Sequence, residues 1–339
     1  MNEDQLLLEV KNLRTYFFLD EGTVRAVDGA DFEIGRGHTL GVVGESGCGK
    51  SVTAQSVLRI VPPPGRIVEG EIIFHRFLQG DGSSVTQVVD LTALNPRGGE
   101  IRSIRGAEIA MVFQEPMTSL SPVHTIGDQI MEAITLHQEV SKAEAREKTI
   151  EMLDRVGMPK PTQTIDSYSF ELSGGMRQRG MIAMALSCNP SLLIADEPTT
   201  ALDVTTEAQI LELMRDLQQE LGMAIMYITH DLGVIAEMAE DVVVMYLGKV
   251  VERADVDSIF HNPQHPYMRA LLKSIPRIGK KSRQRLESIK GVVPDPYAIP
   301  RGCPFHPRCP DFISGLCNRE EPAFSRVGPG HSARCHLYT

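Results

Sequence analysis

The sequence predicts an α/β protein: a parallel sheet with helices as its core, antiparallel strands ahead of it, a helical insertion, and a small cysteine-rich C-terminal extension. Three observations carry this. Short apolar runs at Thr39–Val43, Leu192–Asp196 and residues 224–229 are bounded by turn or helix signals. A helical period replaces them between about 116 and 186, and four of the six cysteines crowd into the last forty residues.

The 339 residues suffice for one large α/β unit with an appendage, or for two domains. Hydrophobic residues make up 42% and charged residues 23%, the balance of a globular chain. A net charge of -10 argues against the Lys/Arg track that a nucleic acid needs, so no nucleic-acid partner is expected. The longest apolar stretches fall far short of the roughly 20 residues that cross a bilayer. Residues 1–10 carry Glu3, Asp4 and Glu9 where a secretory signal would be basic and then apolar, so a cytosolic location is expected. In that compartment the cysteines are not a disulfide framework.

Residues 6–34 alternate and turn at 20–22, as antiparallel strands do. Residues 39–43 form a buried strand running into a glycine-rich turn and a helix near Lys50. Residues 70–77 and 85–91 predict a hairpin with its turn at Gly80-Asp81-Gly82. Ile126, Ile130 and Ile134 mark a helical face, and a helix over 206–221 separates two β-rich runs, a βαβ pattern. Past Pro263 proline, basic residues and cysteine increase, with a basic cluster at 280–285 that predicts a linker. The expected division is therefore 1–265, containing a helical subdomain at 116–186, followed by 266–339.

Gly44-Glu45-Ser46-Gly47-Cys48-Gly49-Lys50-Ser51 matches a phosphate-binding loop between a predicted strand and a predicted helix. Its glycines let successive N–H groups converge on phosphate, Lys50 reaches the β/γ-phosphates and Ser51 ligates Mg²⁺. The strand ending in Asp196-Glu197 supplies a carboxylate to hold Mg²⁺ at Asp196 and, at Glu197, a candidate base for the attacking water. Taken singly, a glycine-rich turn, an acidic strand end or a Ser-Gly-Gly helix start has an ordinary structural reading. Their order along the chain is what carries the functional one.

Leu172-Ser173-Gly174-Gly175-Met176-Arg177-Gln178-Arg179, lying between the two, resembles the signature motif of ABC ATPases. The resemblance covers residues 1 to about 275 and implies a RecA-like parallel core with an antiparallel β subdomain and a helical subdomain. It assigns nucleotide contacts to Phe17 (with Tyr16 and Phe18 as rivals), Gly44, Ser46, Gly47, Cys48, Gly49, Lys50, Ser51 and Val52. Ser173, Gly174, Gly175 and Asp203 would complete the site of a second cassette. Gln114 is similar to the glutamine that senses Mg²⁺ and links to the membrane domain, and His230 to the histidine at the γ-phosphate. Glu197, His230 and Gln114 form the catalytic set, and Ser51, Gln114 and Asp196 the Mg²⁺ set. The runs 111–120, 196–205 and 265–272 resemble the oligopeptide/dipeptide importer ATPases. Cys48 in place of the usual serine and a long hairpin over 74–90 depart from that pattern without touching a phosphate contact.

That family implies an ATP-hydrolysing subunit on the cytoplasmic face of the membrane, peripheral to two permease subunits. It would pair with a second ATPase chain, a sister or a copy, and be served indirectly by an extracytoplasmic binding protein. Peptide is the expected cargo, with nickel or oligosaccharide as alternatives. A soluble ABC ATPase without membrane partners, or a redox-sensing module, are the competing readings. Cys303, Cys309, Cys317 and Cys335 suit either a tetrahedral Zn²⁺ or a [4Fe-4S] cluster, both of which take thiolates. Paired Cys-x-x-Cys knuckles are lacking, which favours iron and sulfur, and the family resemblance implies the same cluster.

Overall fold

The computed structural model describes residues 5–80, 83–114, 119–200, 202–274 and 289–339. Asp81 and Gly82 of the expected turn, residues 115–118 of the diagnostic run, Ala201 and the basic cluster at 280–285 lie outside the described residues. Two compact units are formed. One comprises the described residues within 8–33, 39–92 and 229–339, and the other those within 1–7, 34–38 and 93–228.

In the first unit, Gly22–Gly35, Leu6–Leu19, Gly65–Gly80 and Ser83–Asp90 lie side by side in that order. The last three pair antiparallel, with Leu8 opposite Phe74, Phe17 opposite Gly65 and Gly80 opposite Ser83. Strand alternation fixes what each face does: Thr15 is buried and its hydroxyl lies 2.8 Å from that of Ser56, on the helix Lys50–Val57.

Thr39–Val43 pairs in parallel with Asp241–Tyr246, Leu40 opposite Asp241. Both are buried on two faces and so read as unbroken apolar runs. The sheet then turns antiparallel through Lys249–Asp255, His331–Arg334 and Phe324–Gly328. The cysteine-rich tail therefore supplies two strands to this unit. Sequence patterning did not indicate them, because they are short and half polar.

Buried Glu252 anchors this seam, accepting from the N–H groups of Gln264 (2.6 Å) and His265 (2.8 Å) and lying 2.8 Å from Nε2 of His331. His265 is buried in turn, its Nδ1 accepting from the Tyr267 N–H at 3.1 Å. Burial, helped by the positive charge of Arg269, lowers its pKa to about 3. The unfolded chain therefore binds a proton below about pH 6.5 that the folded chain refuses, so this stability is complete above pH 6.5 and lost as pH falls toward 3. His265→Asn, which keeps an acceptor, is expected to flatten the acid limb of urea-melt stability by about 1.4 kcal/mol per pH unit in that window. An unchanged slope contradicts the assignment.

In the second unit, Ile109–Val112, Leu192–Asp196 and Ala224–Ile228 run parallel, with Ile109 opposite Leu192 and Leu192 opposite Ala224. The helical stretch resolves into Ile126–His137, Lys142–Arg155, Pro161–Thr164 and Gly174–Leu186. Thr125 caps the first by accepting from the Asp128 N–H, which fixes its start, and Ile126, Ile130 and Ile134 are its buried face. Ser141 and Glu144 cap the second reciprocally. Val204–Leu221 begins two residues earlier than expected because Asp203 caps it.

Candidate nucleotide site

The first unit carries the phosphate loop, Phe17 and His230. The loop leaves a buried strand at Val43 and enters the helix Lys50–Val57 through Gly44, Gly47 and Gly49, all at positive φ. Gly49 is obligatory: at φ 105° a Cβ would lie 2.2 Å from the Ala26 carbonyl oxygen. Ser46 and Gly47 are exposed, Cys48 and Lys50 are buried, and Ser51 and Val52 are half-buried. Lys50 Nζ donates to the carbonyl of Gly44 at 2.8 Å and of Glu45 at 3.3 Å, which holds the cation inside the loop. Cys48 faces inward against Gly44, its thiol raised by burial, and its carbonyl accepts from the Gly248 N–H at 2.9 Å. Its replacement of serine is thus a packing matter.

Among the three aromatics, Phe17 shares a strand face with Thr15, the face turned to the helix after the loop, and its ring abuts Gly65. Tyr16 and Phe18 point the other way. The Tyr16 hydroxyl donates to Asp28 at 2.6 Å, and Phe18 lies under the Arg66 guanidinium at 4.4 Å. His230 is exposed, after the buried strand Ala224–Ile228.

The second unit carries Gln114, Ser173 to Gly175, Asp196, Glu197 and Asp203. Asp196 is buried at the strand end. Glu197, next in sequence, takes the left-handed conformation at φ 47°, a strained choice for a non-glycine residue that turns its side chain out of the strand's alternation. Its Oε2 accepts from Gln114 Nε2 at 3.0 Å and Thr200 Oγ1 at 3.1 Å. Two residues 83 positions apart, both singled out from sequence, are therefore in direct contact.

Ser173 caps Gly174–Leu186, its hydroxyl accepting from the Met176 N–H at 3.3 Å. Ser173 and Gly174 are exposed, so the N-terminus of a 13-residue helix faces outward, an arrangement suited to an anion. Gly175 has no room for a side chain, since its Cβ would come within 2.8 Å of Thr206 Cγ2. Asp203 accepts from the N–H groups of Thr205 and Thr206 at 3.1 and 3.0 Å and from the Thr206 hydroxyl at 2.7 Å. These bonds, the hydroxyl first, hold its carboxyl below the usual range. Its carboxylate therefore serves as a helix cap within its own chain.

In the tail, Cys303, Cys317 and Cys335 are buried, Cys309 is half-buried, and all are free thiols. The Cys303 N–H donates to the Cys317 carbonyl at 2.8 Å. Burial raises the Cys303 thiol to about 11 and the Cys309 thiol to about 12, and neighbouring cysteines push each further up. Among the described residues no group of three or more His, Cys, Asp or Glu side chains that could hold a metal ion is found, so neither the expected [4Fe-4S] cluster nor its zinc alternative is shown.

Three residues of the first unit escaped the sequence reading. The Glu45 N–H donates to the Tyr267 hydroxyl at 2.8 Å, and the Glu45 carboxylate receives both Arg308 terminal nitrogens at 2.6 and 2.9 Å. Tyr267 sits in the diagnostic run 265–272, the one signal available beforehand.

Comparison with known proteins follows the same outline. The family model described as ABC transporter matches residues 27–200, and the model described as oligopeptide/dipeptide transporter, C-terminal region, matches 251–317. The chain is 50% identical over 332 residues to the oligopeptide transport ATP-binding protein AppD of Bacillus subtilis, covering 98% of this chain and 97% of that one. It is 45% identical over 330 residues to the dipeptide transport ATP-binding protein DppD of Escherichia coli, covering 97% and 96%. Among solved structures, the dimeric post-hydrolysis ATP-binding cassette MJ0796, bound to ADP and Pi, superposes with a TM-score of 0.63 at 25% identity, over 74% of this chain and 99% of that one.

Proposed function

Since this chain belongs to the ABC transporter family, we propose that it is the ATP-hydrolysing subunit of an importer for di- or oligopeptides. The observation that carries the catalytic half is the contact between Gln114 and Glu197 at the end of a buried strand that also bears Asp196. In this reading Lys50 and Ser51 grip the triphosphate and Mg²⁺, Asp196 and Gln114 complete the metal shell, and His230 and Glu197 handle the attacking water. Ser173 and Gly175 cap the γ-phosphate of a second cassette, so neither chain alone completes a site. ATP, touching both halves, closes the pair, and hydrolysis releases it.

The peptide cargo rests on AppD and DppD, whose names state oligopeptide and dipeptide transport and which this chain matches across nearly its whole length. Two permease subunits, a second ATPase chain and an extracytoplasmic binding protein follow from that role, as does a place on the cytoplasmic face of the membrane. No described helix is long and apolar enough to cross a bilayer. The domain reading, a cassette over 1–265 with a helical part at 116–186 and an extension over 266–339, is proposed with it.

The test is reconstitution of the chain with its co-purifying membrane subunits in proteoliposomes and measurement of labelled-peptide uptake. ATP-dependent uptake abolished by Lys50→Ala supports the reading. Co-purification with ribosomes or DNA and no membrane subunit overturns it.

For the tail, the reading is a [4Fe-4S] cluster on Cys303, Cys309, Cys317 and Cys335, supported by four free thiols within one short segment. Such a group would supply rigidity or electron storage. Protein purified without oxygen is expected to contain about four irons per chain, with a visible absorption lost in Cys309→Ala. A colourless, iron-free chain removes the cluster from the account.

A further inference from the structure

Glu45 is the second residue of the phosphate loop, and both of its polar ends are held from the far end of the chain. Tyr267 accepts its N–H at 2.8 Å. Arg308 takes its carboxylate in a two-pronged grip at 2.6 and 2.9 Å, the geometry that gives such pairs their directional strength. The two side chains are built in. Arg308 is 4% exposed against 25% for Glu45, and its guanidinium also reaches the Tyr246 hydroxyl and the Lys290 carbonyl, each at 3.4 Å. Phe305, three residues ahead of Arg308, packs its ring against Tyr246 and Tyr267 at 5.2 and 5.4 Å between centroids.

A mostly buried ion pair gains little net stability over an apolar substitute, so its worth lies in the geometry it imposes. Here the geometry imposed is that of a glycine-rich loop. The Glu45 N–H is spent on Tyr267 and cannot donate to a phosphate, which makes Glu45 an anchor rather than a ligand contact. Arg308 also neutralises a carboxylate that stands one residue from Ser46, in a loop whose task is to receive an anion.

We infer that Tyr267 and Arg308 are positioning residues for the nucleotide: the C-terminal segment is a strut that sets the phosphate loop in its binding conformation before ATP arrives. The inference rests on reading residues 44–51 as the ATP loop. Fixing a loop beforehand lowers the ordering cost of binding, so the strut acts on ATP affinity more than on turnover.

The experiment measures equilibrium binding of Mg²⁺-ATP to the full-length chain, and KM and kcat in the assembled transporter. Arg308→Ala is expected to weaken ATP binding about 10-fold, on the scale of a charge-assisted contact, with kcat changed far less. Arg308→Lys recovers part of the loss. Glu45→Ala in the Arg308→Ala background adds nothing, because both act through one contact. Tyr267→Phe, which keeps the ring packing and removes only the acceptor, weakens binding by a few-fold and covers the case in which Arg308→Ala does not fold. Arg269→Ala, which loosens the same segment at Tyr338 and Asp311 away from the loop, leaves ATP affinity unchanged. Wild-type affinity in folded Arg308→Ala and Tyr267→Phe, or additive losses in the double variant, overturns the strut. Lys50→Ala is run beside them: if it too binds ATP normally, the nucleotide reading itself fails, a different outcome from loss of the strut alone.

Discussion

Glu197→Gln is expected to hold ATP with near-normal affinity while turnover falls about 10²- to 10⁴-fold, the range attached to a general base. The substitution keeps the size of the side chain and leaves an oxygen to accept from Gln114 and Thr200, so the constellation at 3.0 and 3.1 Å survives. What it removes is basicity. The strained φ of 47° at this residue is retained by the Glu197 N–H, which donates to the Ile228 carbonyl at 2.8 Å, so the side chain's direction is set by the sheet and not by its charge. The measurement is steady-state hydrolysis in the assembled transporter together with nucleotide retention. Undiminished hydrolysis removes Glu197 from the role of base, whereas lost binding means that it holds nucleotide instead.

Gly49→Ala is expected to reduce ATP affinity about 100-fold, the penalty for shifting a binding group by roughly 1 Å. The added methyl would meet the backbone oxygen of Ala26 at 2.2 Å, and no side chain can swing away to relieve it. Either the strand Gly22–Gly35 or the loop must move, and the loop is the softer of the two. The left-handed backbone adds about 1 kcal/mol or more of strain for a residue with a Cβ. A thermal melt reads the strain and an ATP titration reads the displacement. Wild-type affinity in the variant contradicts the loop geometry.

The parts of this fold that could be read beforehand are those written locally. Thr39–Val43, Leu192–Asp196 and the 224–228 run announced themselves because a doubly buried strand must be apolar throughout. Helix starts at Thr125 and Ser141 were implicit in capping residues. The phosphate loop, the Ser173 turn and the Asp196-Glu197 pair were legible because their chemistry fixes their spacing. That Phe17, unlike Tyr16 and Phe18, shares the Thr15 face could be seen only with the Thr15 to Ser56 contact, since alternation alone cannot say which face meets the helix.

What stayed hidden was long-range. Arg308 and Glu45 are 263 positions apart, and nothing in a proline-rich tail marks one arginine as the partner of a loop carboxylate. The two tail strands were hidden because a four- or five-residue polar run carries too little pattern to separate from loop. The same tail's four cysteines, at plausible spacing, suggested a [4Fe-4S] cluster or a zinc site, and no metal-holding group is found among the described side chains.

The most direct test of the account is a structure of the ATP-bound, Glu197→Gln form in its assembled state, read for which chains contact each triphosphate. The account predicts Lys50 of one protomer at the β- and γ-phosphates, with the Ser173 hydroxyl or its equivalent from the other protomer on the opposite side. A triphosphate enclosed by one protomer, with Ser173 distant from every nucleotide, contradicts it.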